Sequence, residues 1–151
     1  MFFGMHQSPA DEKGTLTIPE KWRAELAQGY VLTRGLDQCV LLFPRSRFLA
    51  LTERIEELGM EASDARTWTR FLSTLATDAE IDKHGHLVVP AALREFAELG
   101  NEVNLVGAFS RIEIWNPAKY EHLDKQRAPE MSQIAERLHP MLRPAAKKNN
   151  D

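Results

Sequence analysis

Residues 11–19 read Asp11-Glu12-Lys13-Gly14-Thr15-Leu16-Thr17-Ile18-Pro19, and residues 82–90 read Asp82-Lys83-His84-Gly85-His86-Leu87-Val88-Val89-Pro90. The two stretches share an aspartate, a glycine, a leucine and a proline at matching positions. The glycine suits a tight entry into a short strand, and the proline suits the first position of a helix. The sequence therefore carries one small module twice, with copies that begin at Asp11 and Asp82.

The likeness continues beyond the prolines. Further matched pairs, with one added residue in the second copy after the first pair, are Arg23/Arg94, Val31/Val103, Gly35/Gly107, Phe43/Trp115, Phe48/Tyr120 and Leu51/Leu123. Each copy spans roughly 40 residues, a length at which a domain rarely has an adequate hydrophobic core of its own. We therefore expect the copies to pack on each other about a pseudo-twofold axis.

Apolar periodicity and turn residues predict similar elements in both copies. Strands are expected at Leu16–Ile18, Tyr30–Thr33, Val40–Phe43, Leu87–Val89, Val103–Val106 and Ile112–Trp115, with hairpin turns at residues 35–38 and 107–110. Helices are expected at Pro19–Leu26, Arg47–Leu58, Asp64–Leu75 with Ser63 as its cap, Pro90–Leu99, and after Pro117. Residues 125–151 are expected to be weakly ordered, with one helical stretch at Met131–Leu138.

The composition limits the class of protein to which the chain can belong. The 151-residue chain has 43% hydrophobic residues and a net charge of −3, which is typical of a globular protein. We expect no membrane helix and no secretory signal, and the single cysteine, Cys39, fits a reducing cytosol. Residues 1–124 are acidic overall and residues 125–151 are basic. Binding to DNA would therefore need positive charge gathered on one face.

Four segments carry a resemblance to a known family: Met1-Phe-x-Gly4, Asp11-Glu-Lys-Gly14-x-Leu16-x-Ile18-Pro19, Tyr30-Val-Leu-Thr-Arg-Gly-Leu-Asp37 and Ile112-Glu-Ile-Trp115. With these segments the chain resembles MraZ, a regulator at the head of bacterial division and cell-wall gene clusters. The resemblance implies an α+β fold of tandem swapped-hairpin AbrB-like β-barrel modules, with pseudo-twofold symmetry and peripheral helices. It also implies a cytoplasmic, nucleoid-associated ring of about eight subunits. Such a ring binds short G-rich direct repeats in its own promoter and usually represses transcription.

The resemblance suggests a division of the chain and a set of partners. We expect a first AbrB-like module at residues 1–51, a helical segment at 52–77, a second AbrB-like module at 78–124 and a flexible basic tail at 125–151. Double-stranded promoter DNA and further copies of the chain are the expected partners. We expect no cofactor, metal, membrane contact, small-molecule substrate or enzymatic activity.

Each copy departs from the family at one position. Family members carry Asp-x-x-x-Arg, and the resemblance implies that this arginine reads bases, whereas the matching residues here are Thr15 and His86. Loss of a bidentate contact to guanine lowers discrimination by about 1–3 kcal/mol per site. We predict that Lys13 and Lys83 contact phosphate, while Thr15, His84 and His86 contact bases or phosphates. The alternative is a ring-shaped scaffold or interaction protein with weakened or lost specific DNA binding.

Several residues also admit other interpretations. We interpret Asp11 and Asp82 as turn caps rather than a catalytic carboxylate pair. Asp82, His84 and His86 alternate as a metal triad would, but a fourth ligand is not evident. Cys39 is interpreted as a buried thiol rather than a nucleophile.

The remaining motif residues are assigned to the scaffold. Structural roles are expected for Gly14, Pro19, Gly85 and Pro90. The three tryptophans, Trp22, Trp68 and Trp115, are expected to pack in the core or at interfaces rather than to form a platform for single-stranded nucleic acid.

Overall fold

The computed structural model describes residues 1–144. They belong to two compact units, Met1–Pro117 and the described part of Ala118–Asp151. Residues 145–151 of the predicted tail, with Lys147 and Lys148, lie outside the described residues.

The secondary structure follows the repeat. The strands are β1 (Phe2–Pro9), β2 (Thr15–Thr17), β3 (Tyr30–Arg34), β4 (Val40–Pro44), β5 (Thr77–Ala79), β6 (His86–Val88), β7 (Glu102–Phe109) and β8 (Ile112–Trp115). The α-helices are α1 (Glu20–Arg23), α2 (Arg45–Glu56), α3 (Ser63–Ser73), α4 (Ala91–Phe96), α5 (Pro117–Arg127) and α6 (Met131–Leu142). Short 3-10 turns lie at Ala24–Leu26, Leu36–Gln38 and Ala128–Glu130. Both copies therefore contain a short strand, a short helix and a hairpin, in that order.

The larger sheet interleaves the two copies. Its strand order is β1-β7-β8-β4-β3-β5, and every pairing is antiparallel. Strand β1 precedes the first motif but pairs with β7 of the second copy, from Phe2 opposite Phe109 to Pro9 opposite Glu102. Strand β5 precedes the second motif but pairs with β3 of the first copy. Each copy therefore gives its leading strand to the hairpin of the other copy.

The two motif strands form a separate two-stranded ribbon. Strands β2 and β6 are antiparallel, with Thr15 opposite Val88, Leu16 opposite Leu87 and Thr17 opposite His86. Two equivalent backbone hydrogen bonds extend the ribbon, from the Ile18 amide to the Gly85 carbonyl at 2.8 Å and from the Val89 amide to the Gly14 carbonyl at 2.9 Å. The expected pseudo-twofold relation is therefore present in the backbone itself.

One hydrophobic core serves both copies. Leu16 and Leu87 point inward from the ribbon and are 1% and 2% exposed, and the helices add Trp22 and Leu93 at equivalent positions. Full burial of such a side chain contributes about 1.5–3 kcal/mol relative to its exposure. Because both halves supply these side chains, neither half retains this core alone.

Helix α3 is joined to strand β3 by polar contacts. Arg34 donates from Nε to the Phe71 carbonyl at 2.9 Å and from Nη2 to the Thr74 hydroxyl at 2.8 Å. Its guanidinium also lies 4.4 Å from the centre of the Phe71 ring, a favourable cation–π geometry. The Thr33 hydroxyl donates to the Leu72 carbonyl. The segment between the copies is therefore packed against the first hairpin.

The element bounds differ from the sequence prediction in several places. Strands β2 and β6 begin one residue earlier than predicted, and helix α4 is shorter at both ends. Strands β1 and β5 were not predicted, because their residues lack a clear apolar alternation and they are held by pairing with the opposite copy.

Three local predictions were wrong in detail. Ser63 is the first residue of α3 rather than its cap, since Ala62 is the N-cap and makes no side-chain capping bond. The second hairpin turn is tighter than predicted, because β7 continues to Phe109, which has φ of 64°. Helix α6 extends to Leu142 beyond the predicted stretch. Among residues 1–144, no helix combines the length and apolar character needed to span a membrane.

Candidate functional site

The first strand-entry loop, residues 11–14, is ordered by an aspartate. The Oδ1 atom of Asp11 accepts hydrogen bonds from the backbone amides of Lys13 at 3.0 Å and Thr15 at 2.8 Å. The bond from the Thr15 amide is the largest effect that lowers the pKa of the Asp11 carboxyl below its ordinary value. Asp11 is therefore a charged turn cap, as the sequence predicts.

The second strand-entry loop, residues 82–85, repeats this geometry. Oδ1 of Asp82 accepts from the amides of His84 and His86, each at 2.8 Å. The bond from the His86 amide is the main cause of the lowered pKa of Asp82. In addition, Oδ2 of Asp82 lies 3.1 Å from Nδ1 of the His86 ring. The second aspartate thus caps the loop and also orients a histidine.

Each loop glycine is covered by an arginine from the other copy. Gly14 and Gly85 are buried and have φ of 83° and 79°, a region that glycine adopts without strain. A Cβ atom on Gly85 would collide with the guanidinium of Arg23, and one on Gly14 would lie 2.6 Å from Nε of Arg94. The predicted structural role of both glycines is therefore a close approach across the pseudo-twofold axis.

The two arginines are anchored in matching ways. Nε of Arg23 donates to the Ile18 carbonyl at 2.9 Å, and Nε of Arg94 donates to the Val89 carbonyl at 3.0 Å. Nη1 of Arg94 also donates to the Glu12 carbonyl at 3.2 Å. These bonds connect each short helix to the end of its own strand and, for Arg94, to the opposite loop.

The ribbon presents a polar outer face. Because side chains alternate along a strand, Thr15, Thr17, His86 and Val88 lie opposite to the buried leucines. Val88, the apolar member of these four, is 50% exposed. Three residues of strand extend for about 10 Å. This face is therefore a short surface with one loop near each end.

The loops carry exposed basic side chains beside the ribbon. Lys13, Lys83 and His84 are exposed, and neither lysine forms a salt bridge within residues 1–144. The rings of His84 and His86 lie 5.9 Å apart. Among the same residues, no three His, Cys, Asp or Glu side chains form a group suited to a metal ion. The exposed basic side chains of both loops therefore lie beside one ribbon.

The antiparallel ribbon brings the predicted site residues of the two copies together. Lys13 and Thr15 belong to one loop and its strand, Lys83, His84 and His86 belong to the other, and the ribbon joins both sets. Sequence reasoning missed four residues of this surface, which are Thr17, Val88, Arg23 and Arg94. Strand alternation could have indicated the first two, and the matched spacing of the arginines could have indicated the others.

The remaining candidates are parts of the scaffold. Cys39 is 1% exposed, its thiol donates to the Leu36 carbonyl at 3.4 Å, and burial raises its pKa to about 12. A thiol that stays protonated at neutral pH is a poor nucleophile. Trp22 and Trp115 are buried and Trp68 stacks on Phe71, so the tryptophans form no shared platform.

The interleaved hairpins and the paired entry loops define a class of protein, the tandem swapped-hairpin modules of AbrB-like type. Within this class, the sequence model described as "MraZ protein, putative antitoxin-like" matches twice, at residues 1–71 and 72–140. The chain belongs to the MraZ family.

Curated relatives agree with this assignment over most of their length. A protein of Pelotomaculum thermopropionicum is 39% identical over 138 residues, which cover 91% of this chain and 95% of the relative. Proteins of Heliobacterium modesticaldum and Lactiplantibacillus plantarum are 37% and 36% identical over 91% of this chain, and 96% and 98% of the relatives are covered. Each of the three is named "Transcriptional regulator MraZ".

Proposed function

We propose that this protein is a DNA-binding transcriptional regulator of the division and cell-wall gene cluster, and that it represses its own promoter. Its relatives are named as transcriptional regulators. The observation that carries the proposal is the β2–β6 ribbon, whose polar outer face runs between two cation-bearing loops. The major groove of B-DNA is about 12 Å wide and admits a two-stranded ribbon.

The side chains have distinct roles in this proposal. Lys13 and Lys83 contact phosphates on either side of the groove, which supplies affinity without sequence preference. Thr15, His84 and His86 face base edges or nearby phosphates. The contact with Asp82 favours one orientation of the His86 ring and leaves Nε2 free to face DNA.

Charge distribution limits how the protein approaches DNA. The whole chain has a net charge of −3, so its average surface does not attract a polyanion. Attraction has to come from the two loops and their neighbours, while the acidic remainder faces away. The modules at residues 1–51 and 78–124 each supply one loop, and residues 52–77 and 125–151 supply the helical segment and the basic tail.

The proposed assembly is a cytoplasmic, nucleoid-associated ring of about eight subunits. Short direct repeats in the promoter would then meet successive ribbons of one ring. Linked binding events raise the overall affinity by about 10²–10⁴ without any new contact. Such multivalency offsets the weaker single contacts expected from Thr15 and His86.

A binding titration tests the function. The promoter fragment upstream of the protein's own gene is compared with a scrambled duplex of equal length, at about 50 and about 200 mM salt. Retention of the promoter fragment at the higher salt supports the regulator. Equal, salt-sensitive binding to both duplexes leaves only an electrostatic binder, and absence of binding to either duplex contradicts the proposal.

Restoring the family arginines sharpens this test. The double variant Thr15→Arg with His86→Arg should gain about 1–3 kcal/mol of discrimination per site in favour of the promoter. Thr17→Arg with Val88→Arg is the matched control, because it adds two arginines to the neighbouring positions of the same ribbon face. The control should strengthen binding to both duplexes alike.

A second candidate is the ring-shaped scaffold without specific DNA binding. Thr15 and His86, which stand in place of both family arginines, favour it. In that case the wild-type protein forms the ring but does not distinguish the two duplexes, and only the arginine-restored variant does.

A further inference from the structure

We propose that Arg23 and Arg94 bind DNA phosphates, and that each arginine acts at the loop that belongs to the other copy. The inference rests on the proposed DNA-binding function and assigns two further contact residues to it. Neither arginine occupies the family position that is replaced by Thr15 and His86.

The first supporting observation is the fixed placement of each guanidinium. Arg23 covers buried Gly85 and is held by the bond from Nε to the Ile18 carbonyl. Arg94 covers buried Gly14 in the same way and is held at the Val89 carbonyl. An arginine that is already ordered loses less conformational entropy on binding a ligand than a free surface side chain does.

The second observation is the set of donors that remains. Within residues 1–144, no protein group accepts a hydrogen bond from Nη1 or Nη2 of Arg23. Nη1 of Arg94 donates to the Glu12 carbonyl, and no acceptor lies within bonding reach of its Nη2 in the same part of the chain. Neither arginine takes part in a salt bridge there, and both side chains are partly exposed. The remaining donors suit the oxygens of a phosphate.

The third observation is the charge of the loops themselves. The first loop carries Asp11, Glu12 and Lys13, and the second carries Asp82 and Lys83 beside two histidines. The lysines alone therefore do not make either loop positive at neutral pH. The arginine from the other copy makes the formal charge of the first loop neutral and that of the second loop positive.

The same comparison predicts that the two arginines are unequal. Arg94 already uses one donor on the Glu12 carbonyl and lies beside the acidic loop. Arg23 keeps both Nη groups and lies beside the loop with the histidines. Arg23 should therefore contribute more to DNA affinity than Arg94.

The experiment measures binding of the full chain to the promoter fragment and to the scrambled duplex across a salt series. Arg23→Gln should weaken binding to both duplexes by about tenfold for each engaged chain. It should also lower the slope of log affinity against log salt by about 0.9 for each phosphate that the protein no longer neutralises. Arg94→Gln should act in the same direction but more weakly. Arg54→Gln, an equal charge change on helix α2, is the control and should leave both quantities near their wild-type values.

Arg23→Lys separates a phosphate contact from a purely structural role. Lysine cannot reproduce the Nε anchor, but it keeps the positive charge. Because the salt slope depends on that charge, it should stay near the wild-type value. If Arg23→Gln leaves the slope unchanged, or if Arg54→Gln lowers it equally, the inference is overturned while the DNA-binding function stands. If the wild-type protein binds neither duplex, the proposed function fails together with the inference. Melting temperatures of all variants identify any loss of folding.

Discussion

The backbone amide of Ile18 donates a hydrogen bond of 2.8 Å to the carbonyl oxygen of Gly85, so the strand of the first copy ends on the loop of the second. The equivalent bond from Val89 to Gly14 is 2.9 Å long. The two bonds make the fold of each loop depend on the opposite half of the chain. A substitution in one loop should therefore affect the structure of both copies.

Replacement of Gly85 by alanine should destabilise the protein by more than the strain of a left-handed backbone conformation alone. Gly85 has φ of 79°, and its Cβ atom would meet the Arg23 guanidinium. Gly59 has a similar φ of 78° with no atom within 4 Å, and Gly100 also has open space without a positive φ. Gly59→Ala should cost about 1–2 kcal/mol for the left-handed backbone. Gly85→Ala should cost on the order of 1–3 kcal/mol more for over-packing.

Denaturant titration of the three glycine variants gives the free energy of unfolding for each. The expected order of loss is Gly85→Ala, then Gly59→Ala, then Gly100→Ala. An equal loss for Gly85→Ala and Gly59→Ala would show that the Arg23 side chain moves away at no cost. That result would contradict the fixed placement of the arginine.

The features that the sequence predicts well are local ones. The loop glycines, the capping aspartates and the strands β2 and β6 follow from neighbouring residues, and the repeat doubles each signal. Pairing of β1 with β7 was not predicted, because the two strands are far apart in sequence and β1 has no regular alternation. The pseudo-twofold arrangement was predicted from the repeat and the small size of each copy, and the resemblance implied it as well. The leading strands β1 and β5, which the copies exchange, were not predicted, because no local pattern encodes their packing.

The sequence predicted only part of the candidate site, because local patterns indicate the residues of the motif loops but not the residues that folding brings to those loops. Lys13, Lys83 and His84 are recognisable because they lie in the motif loops. Arg23 and Arg94 lie outside the motifs, on short helices, and the turn of the chain after the proline brings each one onto the opposite loop. Their matched spacing indicates a shared role, but only the folded structure identifies the glycine that each one covers.

The aspartate caps should give the protein part of its resistance to acid. The pKa values of Asp11 and Asp82 are lowered, chiefly by the amides of Thr15 and His86. A carboxylate with a lowered folded pKa stabilises the protein above its unfolded value of about 3.9, and that contribution is lost as the pH falls through the folded pKa. The wild-type melting temperature should therefore fall more steeply below about pH 4 than that of an Asp11→Asn, Asp82→Asn variant.

The control for this measurement is Glu12→Gln. Its side chain is exposed in the same loop but accepts none of the amide hydrogen bonds that fix the turn. The slope of melting temperature against pH should match the wild type in this variant. Parallel curves for the wild type and the double asparagine variant would rule out the caps as a source of the pH dependence.

DNA affinity should rise as the pH is lowered from about 8 to about 5.5. Histidine side chains in general gain a proton between about pH 5 and 8, and a charged His84 or His86 adds attraction to phosphate. Nδ1 of His86 lies 3.1 Å from Oδ2 of Asp82, so this ring is held at the second loop. His84→Gln with His86→Gln should remove the pH dependence, whereas His122→Gln on helix α5 should leave it in place. A flat pH profile for the wild-type protein would show that the histidines contribute no charge to binding.

Cleavage between the copies should leave the two pieces associated. Residues 57–62 are exposed and join α2 to α3, so a protease site inserted there is accessible. The first piece keeps β1 to β4 and the second keeps β5 to β8, yet the pairings β1–β7, β2–β6, β3–β5 and β4–β8 all cross the cut. Size-exclusion chromatography and circular dichroism of the cut protein should match those of the uncut protein with the same insertion. Pieces that separate and stay folded would contradict the exchange of strands, because each would then have to build a complete core from its own half of the chain.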